Sequence, residues 1–134
     1  MEATNFKEAG HQMEQEFLDV IKDQTPATII TINAHPASVV NTWSHYINVV
    51  DDHTLLIPSA GMHSIENDLT ADNHLTVTIG SYKVEGSQGM GRGYHIHGTG
   101  KFATSGANFD RMKQQFDWIR AVLVVTIDDI QQKI

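Results

Sequence analysis

VVNTWSHYINVVDDHTLLIPSAGM, residues 39–62, carries the reading of this chain. It sets a polar, aromatic-bearing Asn41-Thr42-Trp43 triplet just after one apolar run, and a Pro58-Ser59-Ala60-Gly61 turn just after the next. Two strand-like segments that each end in small and polar residues can build a pocket for a flat ligand. Working outward, Thr and Ile fill ATIITI upstream, and Leu75, Val77 and Ile79 alternate with Thr76 and Thr78 downstream. Such residues favour the pleated, half-buried surface of a sheet. Six strands are expected near residues 27–33, 37–42, 45–50, 54–58, 74–80 and 93–101, with a seventh at 121–127. The last of these, AVLVVTI, is apolar throughout and is expected to be buried on both faces.

Helical spacing is confined to three short stretches. Met13, Phe17, Val20 and Ile21 recur every three or four residues, so an amphipathic helix is expected over about residues 8–22, with Gly10 weakening its first turn. Met62, Ile65 and Leu69 share one side of a second helix, with Ser64 placed to cap it. Ala107, Phe109, Met112 and Phe116 mark a third. About seven short strands with so few helices do not make a doubly wound parallel sheet. The pattern fits a mainly β fold, a small, mostly antiparallel barrel with peripheral helices. SYKVEGSQGMGRG, residues 81–93, has four glycines and no periodicity and reads as a long loop at one barrel edge.

The 134 residues fit one domain, an N-terminal helical part over 1–24 followed by the barrel over 25–134. Nine Lys and Arg against sixteen Asp and Glu leave a formal charge of −7, which argues against nucleic acid or an anionic membrane as partner. With no cysteine, disulfides, thiolate metal sites and cysteine nucleophiles are excluded. The start MEATNFKEAG lacks a basic stretch followed by an apolar core, and no apolar run approaches the roughly 18 residues of a membrane span. A soluble, cytoplasmic protein is the expectation.

The glycines at 86, 89, 91 and 93 lack the Lys-Ser/Thr and the strand-to-helix context of a phosphate loop. His95 and His97 project to one face of a strand, which could hold a metal, but no third ligand is close in sequence and the eight histidines follow no zinc or haem spacing. No metal is expected, and no nucleophile elbow is present. Trp43 differs from an ordinary packed tryptophan in its company. Asn41 and Thr42 beside it can donate and accept hydrogen bonds, which recognition of a ring with π-faces and polar edges requires. At Gly61-Met62-His63-Ser64 the turn into the helix leaves N–H groups able to bind an anion, aided by the helix dipole, although a Ser there serves equally well as a plain cap.

Val40-Asn41-Thr42-Trp43, Pro58, Gly61-Met62-His63, Gly80-Ser81, Lys83-Val84, the glycine-rich stretch to Gly93 and Trp118-x-Arg120-Ala121 together resemble, in order and spacing, the small bacterial FMN-binding proteins. These are split-barrel flavoproteins, the superfamily that includes pyridoxamine-phosphate oxidase. The resemblance covers about residues 25–130. It implies a six-stranded antiparallel split barrel that forms a homodimer, with FMN in a groove at each end of the subunit interface. It also implies that Asn41, Thr42 and Trp43 line the ribityl and ring side of the flavin. Pro58, Ser59, Ala60, Gly61 and Met62 would lie along the ring system, and His63 and Ser64 would approach the phosphate. Trp118 would reach the flavin from the partner subunit.

One departure stands at the phosphate, where the small FMN-binding proteins carry Lys-Thr after Gly-Met-His and this chain has Ser64-Ile65. A charge-assisted contact contributes roughly 1.5–3 kcal/mol, about tenfold to a hundredfold in affinity. Lys83 or Arg92 on the glycine-rich loop, or a protonated His63, are the candidate substitutes. The functional expectation is electron or hydride transfer at the flavin, by a carrier or by a small oxidoreductase, with an unknown redox partner or substrate. The alternatives are a split barrel that has lost FMN and binds haem or another small ligand, and a non-catalytic dimeric binding module.

Overall fold

The computed structural model describes residues 3–4 and 13–134. Eight strands form one antiparallel sheet: β1 (Ala3–Thr4), β2 (Pro26–Thr31), β3 (Val39–Trp43), β4 (Asn48–Asp51), β5 (Thr54–Ser59), β6 (His74–Gly86), β7 (Gly89–Ala103) and β8 (Ala121–Gln132). Three α-helices accompany it, α1 (Gln15–Lys22), α2 (His63–Ala71) and α3 (Ala107–Gln115), and a 3-10 turn spans Ser44–Tyr46. None is long and apolar enough to cross a membrane. The sheet runs β3-β2-β6-β7-β8-β5-β4, with β1 added to the far end of β8.

Alternation decides which face turns inward. Leu75, Val77 and Ile79 of β6, Tyr94 and Ile96 of β7, Ile29 of β2 and Leu55 and Ile57 of β5 are buried, whereas their neighbours Thr78, His95 and His97 face outward at intermediate exposure. Phe17, Val20 and Ile21 of α1 join this cluster, and Ile65 and Leu69 of α2 join it as well. Each such side chain contributes about 1.5–3 kcal/mol on burial. A smaller cluster of Leu56, Met112, Ile119 and Val122 lies under α3, on the other face of β5 and β8. That second cluster is why AVLVVTI is apolar throughout: Val122 feeds one core while Leu123 and Val125 feed the other.

The mainly β, antiparallel, curled architecture with peripheral helices is as the sequence implies, but several local expectations change. Residues 81–93 are not a loop. They continue β6 and β7 as a hairpin, with Glu85 opposite Met90 and Gly86 opposite Gly89. Backbone pairing carries these strands past the core, so the side chains lose the apolar alternation by which strands are recognised. Gly89 takes φ 118° at the turn, a value side-chain-bearing residues avoid, and a Cβ on Gly86 would stand 2.0 Å from the Gly91 carbonyl oxygen. The expected strand over 45–50 is partly the 3-10 turn, and β4 begins at Asn48. The helix expected over 8–22 is seen from Gln15, and residues 8–12 lie outside the described set.

Polar ties hold α1 and α2 in place. Tyr94, buried in the core, donates to Glu14 Oε1 at 2.5 Å and accepts from Arg92 Nε at 2.6 Å, and burial holds its phenol well above its ordinary value. Asp68 of α2 accepts from Ser38 Oγ at 2.5 Å and Thr31 Oγ1 at 2.9 Å, fastening the β2–β3 connection to the helix. These two bonds hold the Asp68 carboxyl below its ordinary value. Asp23 is lowered by the Ser81 hydroxyl and the Gln24 N–H, and Asp72 by the His74 N–H and imidazole. Each carboxyl titrates lower in the folded chain than in the unfolded one, so the stability it contributes is present above the unfolded value of about 3.9. It is lost as the pH falls below that. Melting temperature measured between pH 6 and pH 2.5 is therefore expected to drop below about pH 4, and Asp68→Asn to flatten that drop.

Candidate functional site

In the flattened sheet, the C-terminal ends of β3 and β5 stand at opposite corners. Trp43 pairs with Pro26 and so lies at the level of Gly80 and Gly93, whereas Ser59 pairs with Ala121 near the opposite end of β8. The connection from β3 to β4 shortens this separation. Residues 44–47 link Trp43 directly to Asn48, which pairs with Leu56, so at most about 18 Å of chain separates the end of β3 from the strand beside β5. Ser44, buried at this seam, donates from its N–H to the Thr25 carbonyl and from Oγ to the Asp23 carbonyl.

On the β3 side Asn41 is exposed, its Oδ1 accepting from Thr28 Oγ1 across the strand pair at 2.6 Å. Thr42 is half-buried, and Trp43 is 46% exposed. The other part of the expected set is the turn after β5. Pro58 and Ser59 are buried, Ala60 is exposed, Gly61 is half-buried and Met62 takes the left-handed conformation at φ 61°. Met62 is thus the residue that turns the chain into α2, which begins at His63 with no side-chain cap. Ser64 is exposed and does not cap the helix, contrary to the sequence expectation, because the left-handed step at Met62 already makes the reversal a capping residue would set up. His63 is exposed beside it.

The turn is organised by Arg120, whose part the sequence reading missed. The Arg120 N–H donates to the Ser59 carbonyl at 2.9 Å, Nε to the Ala60 carbonyl at 3.4 Å and Nη2 to the Gly61 carbonyl at 2.7 Å. Nη2 also meets Glu66 Oε1 of α2 at 3.0 Å. Ser59 Oγ adds a second bond to the Gly61 carbonyl at 2.8 Å. The N–H groups of Gly61 and Met62 have no partner among the described residues. At Gly61 no atom beyond its two chain neighbours lies within 4 Å of where a Cβ would stand, and its φ is not positive, so neither packing nor backbone conformation calls for glycine there. The sequence signals for Arg120 were its place in the Trp118-x-Arg120-Ala121 piece of the family resemblance and a cation set directly before a buried apolar run.

Trp118, 47% exposed, belongs to an aromatic group at the same seam, 5.8 Å from Tyr46 and 5.5 Å from Phe116 between ring centroids, with Tyr46 and Phe116 5.2 Å apart. Lys83 is on strand β6 rather than on a loop, 3.5 Å from Asp23 Oδ1 and largely exposed. Arg92 is not available to the seam. Its guanidinium is held by Tyr94, the Glu85 carbonyl, Glu14 and Gln132. The hollows of about 410 Å³ beside His74 and His97, and of about 340 Å³ beside Leu69 and Gly100, share no residue with the expected set.

The pyridoxamine 5'-phosphate oxidase family matches residues 13–133 of this chain. An FMN-binding protein of Nitratidesulfovibrio vulgaris is 35% identical over 116 residues, spanning 87% of this chain and 94% of that protein. Among solved structures, HupZ of Group A Streptococcus superposes with a TM-score of 0.71 at 18% identity, covering 89% of this chain and 92% of its own. An FMN-binding protein from Syntrophomonas wolfei gives 0.66 at 15% identity, with 85% of this chain and 81% of that one covered. At these identities the structural likeness speaks for the fold alone.

Proposed function

Because the chain belongs to the pyridoxamine 5'-phosphate oxidase family, we propose that it binds FMN in the seam between β3 and the 58–64 turn, as a homodimer in which a second subunit closes each groove. The observation that carries this reading is the pairing at Gly61 of open space with two N–H groups that have no partner among the described residues, in a chain whose strand β3 leaves Asn41 and Trp43 exposed. A flavin is a flat ring with apolar faces and an edge rich in acceptors, and this donor set fits it. The 35% identical relative described as an FMN-binding protein supports the same ligand.

Asn41 and Thr42 contact the ribityl chain, Trp43 packs on the ring, and the turn from Pro58 through Ser59, Ala60 and Gly61 to Met62 lies along its edge. Trp118 keeps one face exposed from its aromatic group and reaches the flavin held by the partner subunit. His63, Ser64 and the free N–H groups at the start of α2 meet the phosphate. Lys83 can join them, since an exposed ion pair such as that with Asp23 contributes about 0–1 kcal/mol and is readily exchanged. Bound flavin supplies one- and two-electron transfer, and the chain binds, orients and tunes it for an electron carrier or a small oxidoreductase.

Titration of FMN fluorescence with the purified protein tests this. Saturable quenching with one flavin per chain is expected, weakened about tenfold by Asn41→Ala with Thr42→Ala. Since no lysine follows His63, FMN is expected to bind at most about tenfold more tightly than riboflavin. No quenching by either flavin would sink the reading, and a monomer in sedimentation at micromolar concentration would remove the shared groove.

A further inference from the structure

We propose that Arg120 is the positioning residue of this groove: by drawing the Ala60 and Gly61 carbonyl oxygens onto its guanidinium, it turns the N–H groups of Gly61 and Met62 toward the ligand's acceptor edge. The inference rests on the flavin-binding reading and extends it to a residue that does not touch the ligand. Its basis is the geometry of the peptide unit. A trans peptide is planar and its C=O and N–H point in opposite directions, so fixing one fixes the other. The Ala60 carbonyl shares its peptide with the Gly61 N–H, and the Gly61 carbonyl with the Met62 N–H. Both carbonyls are bonded to Arg120, by Nε at 3.4 Å and Nη2 at 2.7 Å, so both N–H groups point away from it. Neither meets a partner among the described residues.

The side chain type matters. A guanidinium offers several donors in one rigid plane, and here that plane spans two carbonyls and the Glu66 carboxylate. A lysine ammonium would hold one of them as a point charge. Glu66, fixed on α2, holds the fork against swinging into solvent. The ion pair is about a third exposed on either side, a setting in which it adds little to stability. Its contribution is orientation. Ser59 Oγ backs the Gly61 carbonyl from a second direction, so losing Arg120 loosens the turn without unfolding it.

The test uses the full-length protein and compares wild type with Arg120→Gln, Arg120→Lys and Glu66→Gln. Riboflavin and FMN titrations, the visible spectrum and the midpoint potential of the bound flavin, and the melting temperature are read for each. Arg120→Gln is expected to weaken riboflavin and FMN alike by about tenfold, because the hydrogen bonds it disturbs go to the ring edge, which both ligands share, and not to the phosphate. Donors on that edge favour the electron-rich reduced ring, so the potential of flavin bound to Arg120→Gln should move to more negative values, with Arg120→Lys in between and Glu66→Gln smaller in the same direction. A residue that merely stabilised the fold would lower the melting temperature and leave the spectrum and potential of bound flavin as they are. That outcome, or wild-type affinity and potential in both Arg120 variants, overturns the inference while flavin binding stands. A wild-type protein that binds neither flavin overturns both. Should Arg120→Gln fail to fold, Arg120→Lys and Glu66→Gln decide the matter by the same measurements.

Discussion

Gly61→Ala is expected to leave the protein at least as stable as before, yet to bind flavin about tenfold more weakly or worse. Stability and binding separate here for a physical reason. Glycine loses more backbone freedom on folding than alanine, so replacing it where φ is ordinary and space is open raises stability by about 0.4–1 kcal/mol. Gly61 satisfies both conditions, with no positive φ and no atom beyond its two chain neighbours within 4 Å of the added methyl. Close approach of a ligand to the backbone, as the proposed flavin site has it, is one role that suits a glycine which neither conformation nor packing requires. On the proposed flavin site, a methyl group in that space would hold a flat ring off the Gly61 and Met62 N–H groups, and weakening their hydrogen bonds by about 1.4 kcal/mol is a factor of ten. Thermal melting of the apoprotein alongside FMN titration reads both effects at once. Gly61→Leu should extend the binding loss with little further change in melting. Wild-type affinity in both variants would take the ligand away from Gly61 and move the proposed groove.

Gly98→Ala has the opposite signature, a large loss of stability remote from the seam. Gly98 sits at the register shift where β7 meets β8, and a Cβ there would stand 2.2 Å from the Thr126 carbonyl oxygen. That neighbour is backbone, so relief requires β7 and β8 to part and weakens the ladder that joins the two halves of the sheet. Overpacking of this kind costs about 1–3 kcal/mol and sometimes more, and the upper end is expected because no flexible side chain can yield. Against a total of about 5–15 kcal/mol this is a substantial fraction. Urea unfolding should show a lower midpoint with an unchanged slope. Gly80→Ala serves as the control. Its Cβ would meet only the Arg92 carbonyl oxygen at 3.7 Å and Gly93 Cα at 3.9 Å, ordinary contacts, so a change within about 1 kcal/mol is expected. Equal behaviour of the two variants would mean that β7 and β8 tolerate a wider spacing at the bulge.

The strands that carry these two glycines mark how far side-chain patterns reach. Leu75, Val77 and Ile79 announce a strand because one face of β6 is buried, and alternation records that burial. From Ser81 to Gly93 the hairpin runs toward the edge of the core, where backbone pairing and polar side-chain ties replace apolar alternation, so it reads as a loop. Ser64 has the chemistry of a cap, but Met62 adopts a left-handed conformation that nothing in a methionine foretells. Arg120 stands in plain view before AVLVVTI, and its task depends on carbonyls about 60 residues away.

What the amino-acid sequence determined by itself is the set of local choices: helices from three- and four-residue spacing, strands from alternation, a mainly β fold, and the motifs at 41–43 and 58–64 that point to a flavin family. These depend on neighbours in the chain, whose spacing the sequence states directly. What only the tertiary structure decided is that residues 44–47 bring the end of β3 back to the strand beside β5, that Arg92 is tied to Tyr94 and Glu14, and that Arg120 governs the turn after β5. Those outcomes follow from the curl of the sheet and the register of β5 on β8. Both are settled by packing among residues far apart in the chain, and no local pattern encodes them.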